Sequence, residues 1–121
     1  MIEESYYITS PDPDIFKIRG EDFVMKIHGG IAEALWLTFC ARILPNFVQD
    51  PKLSTRMVDD AAFKLDIRVP EEGDNEQPWA ELVYFGNGTL YHPKEPKEVY
   101  HIYGEIQSFI KLVEREFENE R

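Results

Sequence analysis

The chain has 121 residues, 43% hydrophobic and 13% aromatic, with 13 Lys and Arg against 23 Asp and Glu for a formal charge of −10. That length suits one domain spanning 1–121, and the apolar content can build a core without metal or disulfide, so a disordered chain is excluded. So acidic a surface repels phosphate backbones and anionic bilayers, which argues against direct nucleic-acid or membrane binding and for a basic protein partner, although solubility alone would also account for the charge.

The opening is rich in turn residues. Ser10-Pro11-Asp12-Pro13-Asp14 fixes backbone angles and removes donors, so residues 1–14 are expected to form an exposed lead-in. Two short runs follow, Ile15 to Arg19 and Phe23 to His28, with apolar residues at alternate positions across Gly20-Glu21-Asp22, the period of a half-buried hairpin. Gly29-Gly30 breaks that pattern before a helical stretch, Ile31 to Leu44, that is apolar nearly all round and therefore expected in the interior, with Glu33 and Arg42 on the edge that meets water. Pro45 should end it.

Phe63, Leu65, Ile67 and Val69 alternate with Lys64, Asp66 and Arg68, the clearest strand in the chain; residues 57–62 fit either a strand start or a short helical turn. Pro70 to Pro78 reads as a solvated acidic loop. A hairpin follows, Trp79 to Phe85 and Thr89 to His92, turned by Gly86-Asn87-Gly88. The last element is an amphipathic helix after Pro96, with Val99, Ile102, Ile106, Phe109, Ile110, Val113 and Phe117 in one stripe; its late acids oppose the helix dipole, so 118–121 should fray. The order β-β-α-β-β-β-α with short connections implies an α+β fold, an antiparallel sheet of about four to five strands with two helices packed on one face.

Catalytic signatures are missing. His28, His92 and His101 include no pair three or four residues apart, and one cysteine cannot complete a zinc set, so no metal and no cofactor are expected. Cys40, alone and flanked by Phe39 and Ile43, reads as a buried small hydrophobe, and it rules out an intrachain disulfide. His28-Gly29-Gly30 precedes a helix without any Gly-x-Ser-x-Gly elbow, Gly86-x-Gly88 lacks a phosphate-loop lysine, and Glu71 to Glu76 lacks calcium-loop spacing. The start of the chain has neither basic residues nor an apolar signal core, and its most apolar stretch is too short to span a bilayer, so a cytoplasmic protein is expected.

What remains is Glu71, Glu72, Asp74 and Glu76 bordering Trp79 without a counter-charge. The loop is either merely solvated or a docking surface, with the acids steering a basic partner and Trp79, Tyr84 and Tyr91 supplying anchor area. Glu3, Glu4, Asp12 and Asp14 would extend the same patch. The corresponding functional expectation is a non-enzymatic binding protein, most concretely an immunity-type inhibitor that covers the cationic active site of a basic toxin such as a nuclease. Two alternatives stand beside it: a ligand-binding or catalytic domain using His28, His92, His101 and Tyr84 in a pocket between sheet and helices, and a secretion-type chaperone or scaffolding subunit with an exposed apolar face. Partner identity, strand order and oligomeric state are not readable at this level.

Overall fold

A computed structural model of the chain describes residues 1–47, 61–86 and 88–119. In chain order the elements are β1 (Ile2–Asp12), β2 (Ile15–Arg19), β3 (Val24–His28), α1 (Gly30–Arg42), a 3-10 turn (Leu44–Asn46), β4 (Ala61–Val69), β5 (Trp79–Tyr84), β6 (Thr89–Tyr91) and α2 (Glu98–Asn119). The six strands form one antiparallel sheet in the order β3-β2-β1-β4-β5-β6. The fold is α+β as expected, with one strand more than the expected range.

The extra strand is β1, and it corrects the expectation of an exposed lead-in. Tyr6, Ile8 and Ser10 are buried, and the strand pairs with β2 on one edge and β4 on the other. Two things hide it in the sequence. Its inward-facing set, Ile2, Glu4, Tyr6, Ile8 and Ser10, is interrupted by polar residues, so the period-2 signal is weak. Pro11 also argues against a strand, yet it falls past the last β4 pair, Ser10 opposite Ala61, where the register with β2 shifts and no ladder donor is required of it.

The chain thus runs as two successive β-β-β-α units, each a three-stranded meander followed by a helix, joined where β1 pairs with β4. Both helices lie on the same face of the sheet. That face supplies Phe16, Ile18, Met25, Ile27, Phe63, Leu65, Ile67 and Leu82, all buried. Between sheet and helices runs a chain of ring contacts: Phe16 meets Phe109 edge-on with centroids 5.7 Å apart, Phe109 meets Phe39 at 6.1 Å, Phe39 meets Phe63 at 5.6 Å, and Phe63 stacks on Tyr84 at 5.0 Å. Cys40 is fully buried beside them. At the rim, Arg42 Nε donates to Glu105 Oε2 at 2.9 Å and ties α1 to α2.

The turn from β3 into α1 depends on Gly29. Its φ of 95° lies in the region that favours glycine, its N–H donates to the Asp14 carbonyl at 2.9 Å, and its carbonyl accepts from Ala32 N–H at 3.0 Å. α1 departs from the expectation of a fully interior helix. Ala32, Leu35, Trp36, Phe39 and Cys40 are buried, but Ile31 and Leu37 are 38% and 43% exposed. A helix resting on one sheet face has a back, and here the back is also apolar. The 3-10 turn holds Pro45, and Phe47 packs into the core beyond it; the ambiguous residues 57–60 lie outside the described residues, whereas Ala61 and Ala62 belong to β4. α2 extends through Glu118 and Asn119; residues 120 and 121 lie outside the described residues.

Phe39 touches both β-β-β-α units, so Phe39→Ala should destabilise the whole chain by about 3–5 kcal/mol, the usual range for removing a buried phenyl ring. Urea unfolding followed by tryptophan fluorescence and by far-UV circular dichroism should show one transition at a lower midpoint with both probes. Separate transitions would mean that the units do not share this core.

Candidate functional site

With both helices on one face, the other face of the sheet carries the alternate residues of every strand. Strand register sets their neighbours: Glu3 lies opposite Arg68, Arg68 opposite Trp79, Ser5 opposite Asp66, and Asp66 opposite Glu81. The β2–β3 turn brings Glu21 to the same end. The result is a cleft of about 300 Å³ lined by Glu3, Ser5, Glu21, Asp66, Arg68 and Trp79 with adjoining parts of β1 and β4. A second hollow of about 160 Å³ continues along Glu4, Glu21, Asp22 and Phe23.

Each wall has a local cause. Ser5 Oγ donates to the Asp66 carboxylate, fixing one carboxylate at the cleft floor. Arg68 lies with its guanidinium carbon 5.0 Å from the Trp79 ring centroid and its Nε 3.5 Å from Glu3 Oε1. Arg68 pairs with Glu3 and Lys64 lies 3.7 Å from Asp66, while Glu21 adds a third carboxylate to the lining, so carboxylates outnumber cations at the cleft. The turn holding Glu21 is tight because Gly20 N–H donates to the Phe23 carbonyl at 3.0 Å, and a Cβ at Gly20 would collide with the Phe23 ring.

Glu4 points to the opposite face of β1, at its rim. It accepts hydrogen bonds from Tyr6 Oη and from Gln107 Nε2 of α2, the latter at 3.4 Å. Burial holds its carboxyl above the ordinary value of 4.5; the Gln107 hydrogen bond opposes this and the charge of Glu21 adds to it. Burial also raises the Tyr103 phenol, with the Glu4 charge contributing.

The structure sorts the residues expected to bind a partner. Glu71, Glu72, Asp74 and Glu76 are all exposed, in the β4–β5 loop at the end of the sheet where the cleft opens. Asp74 is engaged within the loop, accepting from Glu71 N–H at 2.9 Å, and the Met1 amino group lies 3.6 Å from both Glu71 and Asp74 carboxylates. Trp79 lines the cleft. Tyr84 does not: it is 6% exposed, stacked in the core, and cannot serve as a contact. Tyr91 lies opposite Leu82, on the helix side of the sheet, and packs against the core instead of joining Trp79. The acidic residues near the start of the chain divide. Glu3 and Glu4 reach this end, whereas Asp12 and Asp14 flank the β1–β2 turn, roughly 30 Å away along the strand.

Sequence reading missed Glu21 and Asp66. The one signal available was the alternation Lys64, Asp66, Arg68, which puts those charges on a single strand face; which strands flank that face is not written locally. The histidines do not converge: His28, His92 and His101 are exposed and sit on β3, past β6 and on α2. The centre of the layer between sheet and helices is filled by the aromatic chain described above, and of the three histidines His92 lines a hollow, of about 260 Å³, with Trp79, Ala80 and Val99 at the sheet edge. Among the described residues, no group of three or more His, Cys, Asp or Glu is placed to hold a metal ion, and no helix is long and apolar enough to cross a membrane. No protein-family model, no curated protein and no solved structure matches the chain.

Because its folded value is raised, Glu4 makes the protein lose stability as pH rises from 4.5 through that value, since the folded state binds the proton more tightly than the unfolded state. Glu4→Gln should flatten this part of the stability–pH curve, measured by urea unfolding between about pH 4 and 7. A slope unchanged by the substitution would mean the carboxyl is not desolvated.

Proposed function

We propose that the chain is a non-enzymatic binding protein that seats a cationic segment of a basic protein partner in the acidic cleft, most concretely as an immunity-type inhibitor covering the active site of a toxin such as a nuclease. One observation carries the reading: Glu3, Glu21 and Asp66 converge around Trp79 in a single hollow, at the end of the sheet where the acidic β4–β5 loop also projects. Carboxylates steer a basic partner and raise its association rate, while a half-buried tryptophan supplies the desolvated contact area from which binding energy comes.

The test is capture of the tagged protein's partner at low salt from its source cells, followed by binding kinetics with that partner. A single basic protein should elute in a salt gradient. Glu3→Lys with Glu21→Lys should slow its association about tenfold or more, and Trp79→Ala should weaken binding by about 2 kcal/mol or more, mostly through faster dissociation. Unchanged kinetics in both variants would remove the cleft from the interface. A scaffolding or chaperone role is the second reading, supported by the exposed Ile31 and Leu37 on the back of α1; it requires a stable homodimer in sedimentation, weakened by Leu37→Glu.

A further inference from the structure

The net charge conceals a segregation. Five of the 13 Lys and Arg, namely Lys17, Arg19, Lys26, Lys64 and Arg68, lie on the open face of the sheet. Arg68 belongs to the acidic cleft, and the other four form a band beside it. Lys17 lies directly opposite Lys26, and Arg19 lies opposite Tyr7, which lies opposite Lys64 on its other side. Tyr7 is flanked by cations, the Arg19 guanidinium carbon 4.3 Å and the Lys64 ammonium 5.6 Å from its ring centroid. Lys64 also reaches Asp66 at 3.7 Å, where the two bands meet. Lys17 and Lys26 face no carboxylate within ion-pair distance among the described residues. A hollow of about 200 Å³ opens between Tyr7, Thr9, Lys17 and Arg19.

Like charges directly across a strand pair destabilise a sheet, so the fold does not need Lys17 opposite Lys26. The opposed cations leave this band complementary to negative charge. A nucleic acid is disfavoured because a chain of charge −10 repels a long polyanion, whereas a short carboxylate-bearing segment feels mainly the nearest cations. Position says more. Glu3 and Thr9 lie six residues apart on β1, about 20 Å, while a standard interface covers about 800 Å² on each partner, close to 28 Å across. A protein seated in the acidic cleft therefore also lies over Tyr7, Arg19 and Lys64.

We infer that the open sheet face carries an anion-binding site, formed by Lys17, Arg19, Lys26 and Lys64 around Tyr7, which takes a carboxylate-bearing segment of the same protein partner whose cations enter the acidic cleft. The inference rests on the cleft reading above and adds that the partner's docking surface is dipolar, with acidic residues beside its basic ones. A uniformly basic partner would be opposed by this band.

The test uses the ¹⁵N-labelled protein and four defined probes at low salt: tetralysine, tetraglutamate, a peptide joining the two blocks through a short Gly-Ser spacer, and a ten-residue oligothymidylate. Tetralysine should shift the amides of Ser5 and Glu21. The joined peptide should bind at least tenfold more tightly than tetralysine and also shift Thr9, Lys17 and Lys26. Lys17→Glu with Lys26→Glu should erase that advantage and leave tetralysine binding no weaker. Lys17→Glu alone should raise the urea midpoint, because it replaces an opposed like-charge pair with an ion pair. If tetralysine binds the cleft and the joined peptide gains nothing, the anion site is wrong and the cleft reading stands. If oligothymidylate shifts the band more strongly than tetraglutamate, the occupant is nucleic acid and the inference is overturned. If tetralysine shifts nothing at the cleft, the cleft reading falls and this inference with it.

Discussion

The pairing of β1 with β4 is the constraint on which the rest of the molecule depends. It runs without a break from Ile2 opposite Val69 to Ser10 opposite Ala61 and joins two meanders that each carry a single helix. Neither unit could bury its apolar sheet face alone, because three short strands and one helix leave much of that face wet. Joined, they share one core: Phe16 of the first unit meets Phe109 of the second, and Phe39 meets Phe63. The ladder also brings together residues about sixty positions apart, including Ser5 with Asp66 and Glu3 with Arg68.

Coverage on one side only then divides the labour of the sheet. An antiparallel sheet can leave one face in water, and here β2, β3 and β4 put aliphatic and aromatic residues toward the helices and mostly charged or polar ones away from them. The open face is where the acidic cleft and the neighbouring cationic band both lie, their side chains spaced by strand register. The exposed acids of the β4–β5 loop lie at its rim.

Much of this was legible before any coordinates. Strict alternation marked β4, the Gly20-Glu21-Asp22 and Gly86-Asn87-Gly88 turns marked two hairpins, and the three-and-four spacing from Val99 marked α2. Those signals are local, since each depends on a period or a turn within about ten residues. β1 was lost because Glu4 and Ser10 stand at inward positions and Pro11 mimics a strand breaker. Tyr84 is buried, and Tyr91 lies on the helix side of the sheet, which was hidden for a related reason. Along a strand, alternate residues face opposite sides, and local sequence does not say which side the helices will cover.

The sequence by itself determined the class of fold, the one-sided amphipathicity of α2 and β4, the buried place of Cys40 and the acidic character of the whole, because periodicity, turn chemistry and charge count are properties of neighbouring residues or of the sum. Only the tertiary structure decided that β1 is central, that Glu3, Glu21 and Asp66 share a hollow with Trp79, and that cations of an acidic chain gather around Tyr7. These are consequences of strand order and register, and register is set by long-range pairing against a common core.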